Sequence, residues 1–395
     1  MSEWKKVKLG DICSRVTSGG TPKANVESFY SPPTIPWLKT KEVNYSRIYE
    51  TENYISEDGL ANSSAKLIAP NSVIIAMYGQ GDTAGRVAIN KIPLTTNQAC
   101  CNLTFDDKKA NYEFVYYQLC TLYDKMVSLK SGAAQPNLNA QIIKGLEISL
   151  PSLTTQNHIA TILARYDSLI ENYQKQIKLL EEVAQRLYKE WFVDLHFPGH
   201  ENTKIVDGVP EGWEKKSVSQ LGDYLNGFAF KPSDWQETGR PIIKIKEMGN
   251  GISDETPRNN GERVPAKYLV KAGDLLFSWS ATLMVIVWTG EEGWLNQHLF
   301  KVTPAKGIGR EFLLQSISNA IAEFSNLTTG STMKHIQRNK LDQVYVNTPS
   351  SIIMEKYNEV AESMRAQILN ISSQIHLLTE ARDRLLPKLM SGDIK

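Results

Sequence analysis

The stretch IENYQKQIKLLEEVAQRL, residues 170–187, recurs as ILNISSQIHLLTEARDRL at residues 368–385. The offset between the copies is 198 residues, and no gap is needed to align them. The same offset places Gly132 on Gly330 and Pro151 on Pro349. Self-similarity at a fixed offset is the signature of a duplicated architecture. The sequence therefore predicts two copies of one structural unit.

Each copy ends in a stretch whose pattern predicts a long helix. Residues 155–192 contain neither Gly nor Pro, and their apolar side chains recur at spacings of three, four and seven. Residues 355–386 repeat this pattern in the second copy. Such a long apolar stripe with charged flanks is typical of a coiled coil. We expect Pro198-Gly199 and Pro387 to end the two helices.

Duplicated helices predict a pseudo-twofold axis, with the two helices pairing antiparallel as a coiled coil. The stripe that we expect to form the pairing and partner interface comprises Ile162, Tyr166, Leu169, Tyr173, Leu180, Leu187, Val360, Met364, Ile371, Leu378 and Leu385. Further apolar residues, such as Ile170 and Leu179, widen this stripe. Each helix is therefore expected to pack on something besides its twin.

The residues before each helix predict a mixed α/β globule. Short β-type runs occupy residues 73–77, 87–89 and 146–150, with counterparts at 274–277, 284–287 and 344–346. An amphipathic stretch at residues 112–129 predicts a helix between them. The predicted fold class is mixed α/β (α+β), with two duplicated globular domains, each followed by a long helix. The predicted boundaries are residues 1–152 and 213–350 for the globules, 153–197 and 351–395 for the helical regions, and 198–212 for the linker.

Composition agrees with a folded protein of two or more domains. The chain has 395 residues, of which 41% are hydrophobic and 22% charged, whereas a single domain usually has about 100–200 residues. No apolar run approaches the ~20 residues of a membrane-spanning helix. The first residues lack the apolar stretch of a signal peptide. The four cysteines form no Cys-x-x-Cys pair, so we expect reduced thiols and a cytoplasmic location.

Several motifs, in their order along the chain, resemble the specificity subunits of Type I restriction-modification enzymes. SGGTP at residues 18–22, followed by IPW at 35–37, is similar to the opening of many target-recognition domains in that family. LTTQ at 153–156 is similar to the family's entry into its helix. YKEWF at 188–192, FPG at 197–199 and GVPEGW at 208–213 resemble its central junction. In the second copy, GFAF at 227–230 replaces the GGTP opening, so the two domains differ at this point.

The resemblance implies a non-catalytic subunit that binds double-stranded DNA. Each globule would be a target-recognition domain for one half of a split target, and the helices would bind two methyltransferase subunits. Motor-nuclease restriction subunits would complete the complex. S-adenosylmethionine, ATP and Mg²⁺ would then be bound by the partners and not by this chain. The alternative is a single-chain DNA methyltransferase or nuclease with a fused recognition domain.

The net charge is +1, which is low for a protein that binds DNA alone. Neutralisation of phosphates supplies most non-specific affinity, so independent DNA-binding proteins usually carry a basic excess. A nearly neutral chain should bind DNA weakly without partners. This balance favours a subunit over a free-standing DNA-binding protein.

The sequence contains no motif that would support catalysis or metal binding. Tyr78-Gly79-Gln80-Gly81 would need a helix starting at its glycines to bind a nucleotide, but a strand-like run follows, so a hairpin loop is expected. Ser31-Pro32-Pro33-Thr34 lacks the amide and the aromatic ring of an adenine-methyltransferase motif. His196 and His200 are separated by Pro198-Gly199 and have no further ligand nearby. We therefore predict no catalytic residue and no metal site.

Candidate DNA contacts fall into three groups. Lys39, Lys41 and Arg47 surround Trp37, while Lys244 and Lys246 are expected on one face of a strand, where they either contact phosphates or protect an exposed edge. Two loops at matched positions carry side chains that can read base edges, unless they are merely divergent surface loops. These loop candidates are Gln135 and Asn137 in the first copy and Lys334, Gln337 and Arg338 in the second. Tyr78, Gln80 and Arg86 form the third group.

Overall fold

The computed structural model describes residues 4–130, 137–327 and 340–393, with side chains omitted at 325–327. The chain forms two compact units. Unit 1 comprises residues 1–170 together with 378–395, and unit 2 comprises residues 171–377. Each unit therefore contains one globular domain and parts of both long helices.

Unit 1 is built around a five-stranded sheet. The strands of unit 1 are β1 (Lys5–Lys8), β2 (Cys13–Ser18), β3 (Ile35–Leu38), β4 (Ser46–Ile48), β5 (Tyr54–Ile55), β6 (Val73–Ala76), β7 (Val87–Asn90), β8 (Thr95–Thr96), β9 (Cys100–Phe105) and β10 (Glu147–Leu150). The main sheet has the order β2-β9-β6-β7-β4, beside a three-stranded sheet β5-β3-β8 and the pair β1-β10. The apolar strand β6 is buried along its whole length at the centre of the main sheet, as its branched side chains favour.

The helices of unit 1 are α1 (Glu57–Ala61), α2 (Tyr112–Cys120), α3 (Tyr123–Ser128), α4 (Ala140–Gly145) and the first part of α5 (Leu153–Tyr188). Residues of α2, α3, α4 and α5 share a core with the main sheet, whereas Leu60 of α1 packs against the three-stranded sheet. The single helix predicted at residues 112–129 is wrong, because the chain breaks between α2 and α3. There the hydroxyl of Thr121 donates a hydrogen bond to the carbonyl of Gln118, a local bond that competes with the helical pattern.

Unit 2 repeats most of this plan. Its strands are β11 (Ile205–Val206), β12 (Val209–Pro210), β13 (Glu214–Ser217), β14 (Gly222–Asn226), β15 (Arg240–Ile243), β16 (Arg258–Asn259), β17 (Leu269–Val270), β18 (Leu275–Ser278), β19 (Met284–Val287), β20 (Gly293–Leu295), β21 (Leu299–Pro304) and β22 (Tyr345–Thr348). Its helices besides α5 are α6 (Ile245–Asn250), α7 (Arg310–Leu327) and α8 (Ser351–Ser391).

The sheets of the two units correspond with one difference. In unit 2 the order β14-β21-β18-β19 matches β2-β9-β6-β7 of unit 1, and β13-β22 matches β1-β10. Unit 1 adds β4, which pairs in parallel with β7. Among the described residues of unit 2 no strand occupies that place, so β19 is an edge strand there.

The long helices confirm the predicted fold class. In unit 1, Ile159 and Leu163 near the start of α5 share a core with Leu389 and Met390 at the end of α8. In unit 2, Tyr188 at the end of α5 shares a core with residues near the start of α8. This arrangement within each unit is that of an antiparallel pair.

The predicted helix ends and pairing stripe need three corrections. Pro387 lies inside α8, because the burial of Leu389 and Met390 holds the turn that follows it. The regular helix α5 ends at Tyr188 and is followed by a π-helical turn, Lys189–Val193, before Pro198-Gly199. Leu169 and Val360 are 40% and 47% exposed, so neither packs in the helix pair.

The other stripe positions are buried or half-buried. Met364 is buried, and Leu180, Leu187, Ile162 and Leu385 pack against the cores of their own units. The remaining stripe positions are half-buried, and they are Tyr166, Tyr173, Ile371 and Leu378. Among the described helices, none is both long enough and apolar enough to span a membrane.

Candidate nucleic-acid interface

Both units contain a parallel strand pair that ends at a repeated Lys-x-Lys-Glu sequence. Trp37 and Leu38 of β3 lie opposite Thr95 and Thr96 of β8, and β15 pairs with β20 in the same way. The chain then continues as KTKE at residues 39–42 and as KIKE at residues 244–247. We call these two segments corner 1 and corner 2. Ligands commonly bind at the carboxyl ends of parallel strands.

The backbone of each corner is held by its glutamate. The amide of Lys39 donates to Glu42 Oε1 over 3.0 Å, and the amide of Lys244 donates to Glu247 Oε2 over the same distance. The glutamate therefore fixes the turn that carries the first lysine of each corner. Lys244 is the N-cap of α6 and Lys246 lies inside the helix, so the predicted placement of both on one strand face is wrong. The chain leaves the strand at Ile243 because Glu247 caps a helical turn.

Aromatic rings support the first lysine of each corner. Lys39 Nζ lies 4.9 Å from the centre of the Trp37 ring and donates to Asn53 over 2.9 Å. Lys244 Nζ lies 4.4 Å from the centre of the Trp235 ring, which is 47% exposed. Partial burial lowers the pKa of Lys244. Both corners thus present an ammonium group on an aromatic platform, which is an arrangement suited to an anionic ligand.

The second lysine of each corner is paired with an acid. Lys41 forms an ion pair with Glu52, and Lys246 forms one with Glu255 over 2.9 Å. These pairs are exposed, so solvent screens them and they are worth little. Lys41 and Lys246 can therefore exchange their carboxylates for a phosphate at small cost.

Two features of these corners were missed in the sequence. Asn97-Gln98 follows β8 and Asn296-Gln297 follows β20, so each pair lies at the same sheet edge as its corner. The recurrence of Asn-Gln in both copies was the sequence signal that could have identified these residues. Trp235 carried no signal, because its contact with Lys244 depends on tertiary structure.

The prediction that Arg47 contacts DNA is wrong, because its side chain is only 5% exposed. Arg47 Nη2 lies 2.5 Å from Glu113 Oε2, and Arg47 Nη1 lies 2.8 Å from Asp167 Oδ2. Arg382 Nη1 approaches the other oxygen of Asp167 at 2.7 Å, and Lys91 Nζ lies 2.9 Å from Glu113. We call these five residues the Asp167 cluster. It joins β4, α2 and both long helices inside unit 1.

The Asp167 cluster sets an acid limit on the stability of unit 1. Burial opposes ionisation of Asp167, but hydrogen bonds from Tyr117, Arg382 and Arg47 outweigh it and lower its pKa. A lowered folded-state pKa gives stability that is complete above the ordinary aspartate pKa of about 3.9 and is lost as the pH falls through the lower value.

Asp167→Asn should therefore cost about 3 kcal/mol at neutral pH, the lower end of the range for breaking a buried ion pair, because Arg47 keeps Glu113. The difference from the unaltered chain should shrink as the pH falls from about 5 to about 2. Urea denaturation of both proteins across this range measures it. A difference that is constant with pH would show that Asp167 is not the titrating group.

The remaining candidates lie around the hairpin between β6 and β7. Gln80 is exposed and Tyr78 half-buried, and burial raises the pKa of Tyr78. Arg86 donates to Asn44 and Asp82 over 3.0 and 2.6 Å. The antiparallel pairing of β6 with β7 agrees with the expected hairpin. No helix starts at its glycines.

Of the loop candidates, Asn137 lies within the described residues. Asn137 is half-buried, and the amide of the next residue, Leu138, donates to the carbonyl of Met77 at the start of the hairpin. Asn137 therefore lies beside the hairpin group in unit 1. The other loop candidates lie outside the described residues, and they are Gln135, Lys334, Gln337 and Arg338. Across the described ranges, no group of three or more His, Cys, Asp or Glu side chains is arranged to hold a metal.

Comparison with known proteins defines the class. Residues 1–182 and 210–359 each match the family described as Type I restriction modification DNA specificity domain. These matches cover most of the chain, so the protein belongs to this family and is a specificity subunit. Family membership favours this interpretation over a single-chain methyltransferase or nuclease.

Two specificity subunits and one solved structure are similar to this protein over nearly the whole chain. The Type I restriction enzyme MjaIX specificity subunit of Methanocaldococcus jannaschii is 27% identical, over all of this chain and 94% of the relative. The HindI specificity subunit of Haemophilus influenzae is 23% identical over the whole of both chains. The crystal structure of a Type I restriction-modification S subunit from M. genitalium matches with a TM-score of 0.58 at 15% identity, over 98% of this chain and 96% of that one. This structural likeness concerns the fold alone.

Proposed function

We propose that this specificity subunit reads a split double-stranded DNA target, with one recognition domain for each half-site. The observation that carries the proposal is the duplication of corners 1 and 2. Each domain repeats a lysine on an aromatic ring, a second exposed lysine and a capping glutamate at the same sheet edge. Features kept in both copies suit a task that both copies share, and contact with phosphates is the same at every sequence. Side chains that differ between the copies are then left for base readout.

The proposal includes partners that supply the chemistry. Two methyltransferase subunits would bind the long helices, and restriction subunits would join them in a cytoplasmic complex. S-adenosylmethionine, ATP and Mg²⁺ would be bound by these partners. Exposed apolar side chains on α5, at Leu169, Leu179 and Val183, support a helix that contacts another protein. The near-neutral charge of the chain supports shared DNA binding.

Methylome sequencing of cells with and without the gene tests the proposal. A split methylation motif should be present with the gene and absent without it. Purification of the tagged chain should recover a methyltransferase subunit at two copies per chain. Methyl transfer to DNA by the isolated chain, free of any partner, would contradict the proposal.

Lys39→Ala and Lys244→Ala test the phosphate contacts. The capping bonds of the corners use backbone amides, so both variants should fold. Each should weaken binding equally for target and unrelated duplexes, and should reduce the slope of log K against log salt by about 1. Filter binding at several salt concentrations measures this. Lys356→Ala, an exposed lysine on α8, is the matched control, and a loss confined to the target duplex would instead assign these lysines to base readout.

A further inference from the structure

A tight turn of the same design carries the Asn-Gln sequence in each unit. Residues 97–100 lead from β8 into β9, and residues 296–299 lead from β20 into β21. We call these segments turn 1 and turn 2. The backbone N–H of the fourth residue donates to the carbonyl of the first over 3.1 Å in turn 1 and over 3.0 Å in turn 2. This bond closes a β-turn, and the glutamine is the second residue of each turn.

Each turn is bonded directly to the corner of its own unit. The backbone N–H of Asn97 donates to the carbonyl of Leu38 over 3.0 Å, and that of Asn296 donates to the carbonyl of Ile243 over 3.1 Å. Leu38 and Ile243 immediately precede the first lysine of corner 1 and of corner 2. The glutamine of each turn is therefore held at the same sheet edge as a lysine that we assign to phosphates.

A glycine holds the other side of each turn. The backbone N–H of Gly19 donates to the last residue of turn 1 over 3.1 Å, and that of Gly227 donates to the last residue of turn 2 over 3.0 Å. A Cβ atom on either glycine would lie 2.1 Å from the carbonyl oxygen of the first residue of its turn. Only glycine permits this approach of two backbones. The openings at residues 18–22 and 227–230 otherwise differ, but both supply the glycine that the turn requires.

Asn296 fixes the orientation of the Gln297 side chain in turn 2. The backbone N–H of His298 donates to Asn296 Oδ1 over 3.3 Å, so Nδ2 is the end of the Asn296 amide that donates. Asn296 Nδ2 donates to Gln297 Oε1 over 2.6 Å. Gln297 is half-buried, and its Nε2 makes no hydrogen bond to the described part of the chain. Gln297 thus presents N–H donors at the sheet edge.

Turn 1 reaches the same orientation through an unrelated neighbour. The hydroxyl of Thr21 donates to Gln98 Oε1, and Gln98 is exposed. Within residues 4–130, 137–327 and 340–393, Gln98 Nε2 has no hydrogen-bond partner. The oxygen of the glutamine is held in both units, by Thr21 in one and by Asn296 in the other. The nitrogen is therefore the end of each side chain that is available to a ligand.

We propose that Gln98 and Gln297 each donate a hydrogen bond to a base edge in the major groove of DNA. This inference rests on the proposed function, in which corners 1 and 2 contact phosphates. Phosphates favour charged donors, which the corner lysines supply, whereas a neutral amide can distinguish bases.

The chemistry of the base edges gives this contact a definite preference. Adenine, guanine and thymine each present an acceptor in the major groove, but cytosine presents an amino donor. A glutamine that offers N–H donors is therefore compatible with the first three bases and not with cytosine. Each recognition domain should reject cytosine at the position that its glutamine contacts, and the two domains should differ at the other positions that they read.

Gln297→Glu tests this assignment by reversing the outward group. The carboxylate keeps an oxygen for the bond from Asn296 and replaces the outward donor with an acceptor, which suits the amino group of cytosine. Methylome sequencing of cells that carry the variant should show one position of one half-site changed to cytosine. Gln98→Glu is the matched control, because it adds the same charge and should change the other half-site alone. A variant motif that is identical to the parental one, or altered in both halves, would overturn the proposal.

Gln297→Ala separates a base contact from a phosphate contact. The purified full chain with this substitution should bind the target duplex about tenfold more weakly and an unrelated duplex equally well, since only the target offers the base. Fluorescence anisotropy with both duplexes at one salt concentration measures this. The melting temperature should be unchanged, because backbone bonds hold the turn. An equal loss on both duplexes would assign Gln297 to a phosphate, and no loss would show that its amide contacts solvent only; either result contradicts the proposal.

The unaltered chain distinguishes failure of this inference from failure of the proposed function. If the unaltered chain and its partners methylate a split motif, and neither glutamine variant changes a base of that motif, the base contact is rejected and reading by two domains is retained. If the unaltered chain and its partners recognise no split motif, the proposed function is rejected together with the base contact.

Discussion

Glu311→Ala should destabilise unit 2 by about 3–5 kcal/mol, because it leaves a buried arginine without its counter-charge. The side chains of Arg365 and Glu311 are 4% and 1% exposed. They form two parallel hydrogen bonds, 2.6 Å from Nε to Oε1 and 3.1 Å from Nη2 to Oε2. Urea denaturation of the full chain, followed by hydrogen exchange of unit 2 amides, measures the loss.

Two controls identify the cause of this loss. Glu362→Ala removes the partner of Arg310 in a half-exposed pair of the same unit, and should cost no more than about 1 kcal/mol. The double variant Glu311→Leu/Arg365→Met removes both charges and should recover most of the stability, since apolar residues often replace a buried ion pair without loss. A double variant as unstable as Glu311→Ala would show that packing, and not the unpaired charge, explains the effect.

The elements of this fold were predictable because their signals are local. The strands at residues 73–76, 87–90 and 284–287 follow from short apolar runs, and both long helices follow from apolar spacing. The duplication was visible as an offset of 198. Helix ends were less accurate, because the packing of Leu389 and Met390 extends α8 beyond Pro387.

The candidate site was harder to predict because its contacts join distant parts of the chain. Arg47 meets Glu113 and Asp167, which lie 66 and 120 residues away, so nothing near Arg47 in the sequence indicated burial. Lys244 and Lys246 were assigned to a strand from local alternation, although Glu247 follows them as Glu42 follows the lysines of corner 1, and each glutamate caps its own corner. Aligning the corners needs an offset of 205, not 198, which hid their equivalence.

Replacing residues 1–150 with the recognition domain of a related specificity subunit should change one half of the methylated motif completely and leave the other half unchanged. The segment is structurally closed, because its first strand β1 pairs with its last strand β10. A graft therefore enters and leaves unit 1 at one two-stranded sheet. Methylome sequencing of cells that carry the hybrid gene reads both halves at once. Replacement of residues 213–350 is the matched control and should change the other half alone.

The Asp167 cluster determines how this graft must be designed. Arg47 and Glu113 leave with the replaced segment, whereas Asp167 and Arg382 remain on the long helices. A donor domain without an arginine at the position of Arg47 removes the buried hydrogen bond that Asp167 accepts from Arg47. That hybrid should be less stable, whereas one with the arginine and glutamate restored should assemble normally. Both hybrids should report the same new half-site, because the cluster supports the domain and does not contact bases.

The expected loss of methylation at the parental motif follows from the free-energy cost of mismatched base pairs. Each mismatched base pair costs about 1–3 kcal/mol, roughly additively, so two altered positions lower occupancy of the parental site by about 30-fold at the lower limit. Methylation at the parental motif should therefore disappear and not merely decline. A hybrid whose motif changes in both halves would show that the two domains do not read independently. Since unit 1 and unit 2 each have their own core and their own corner, we expect the half-site read by unit 2 to be retained.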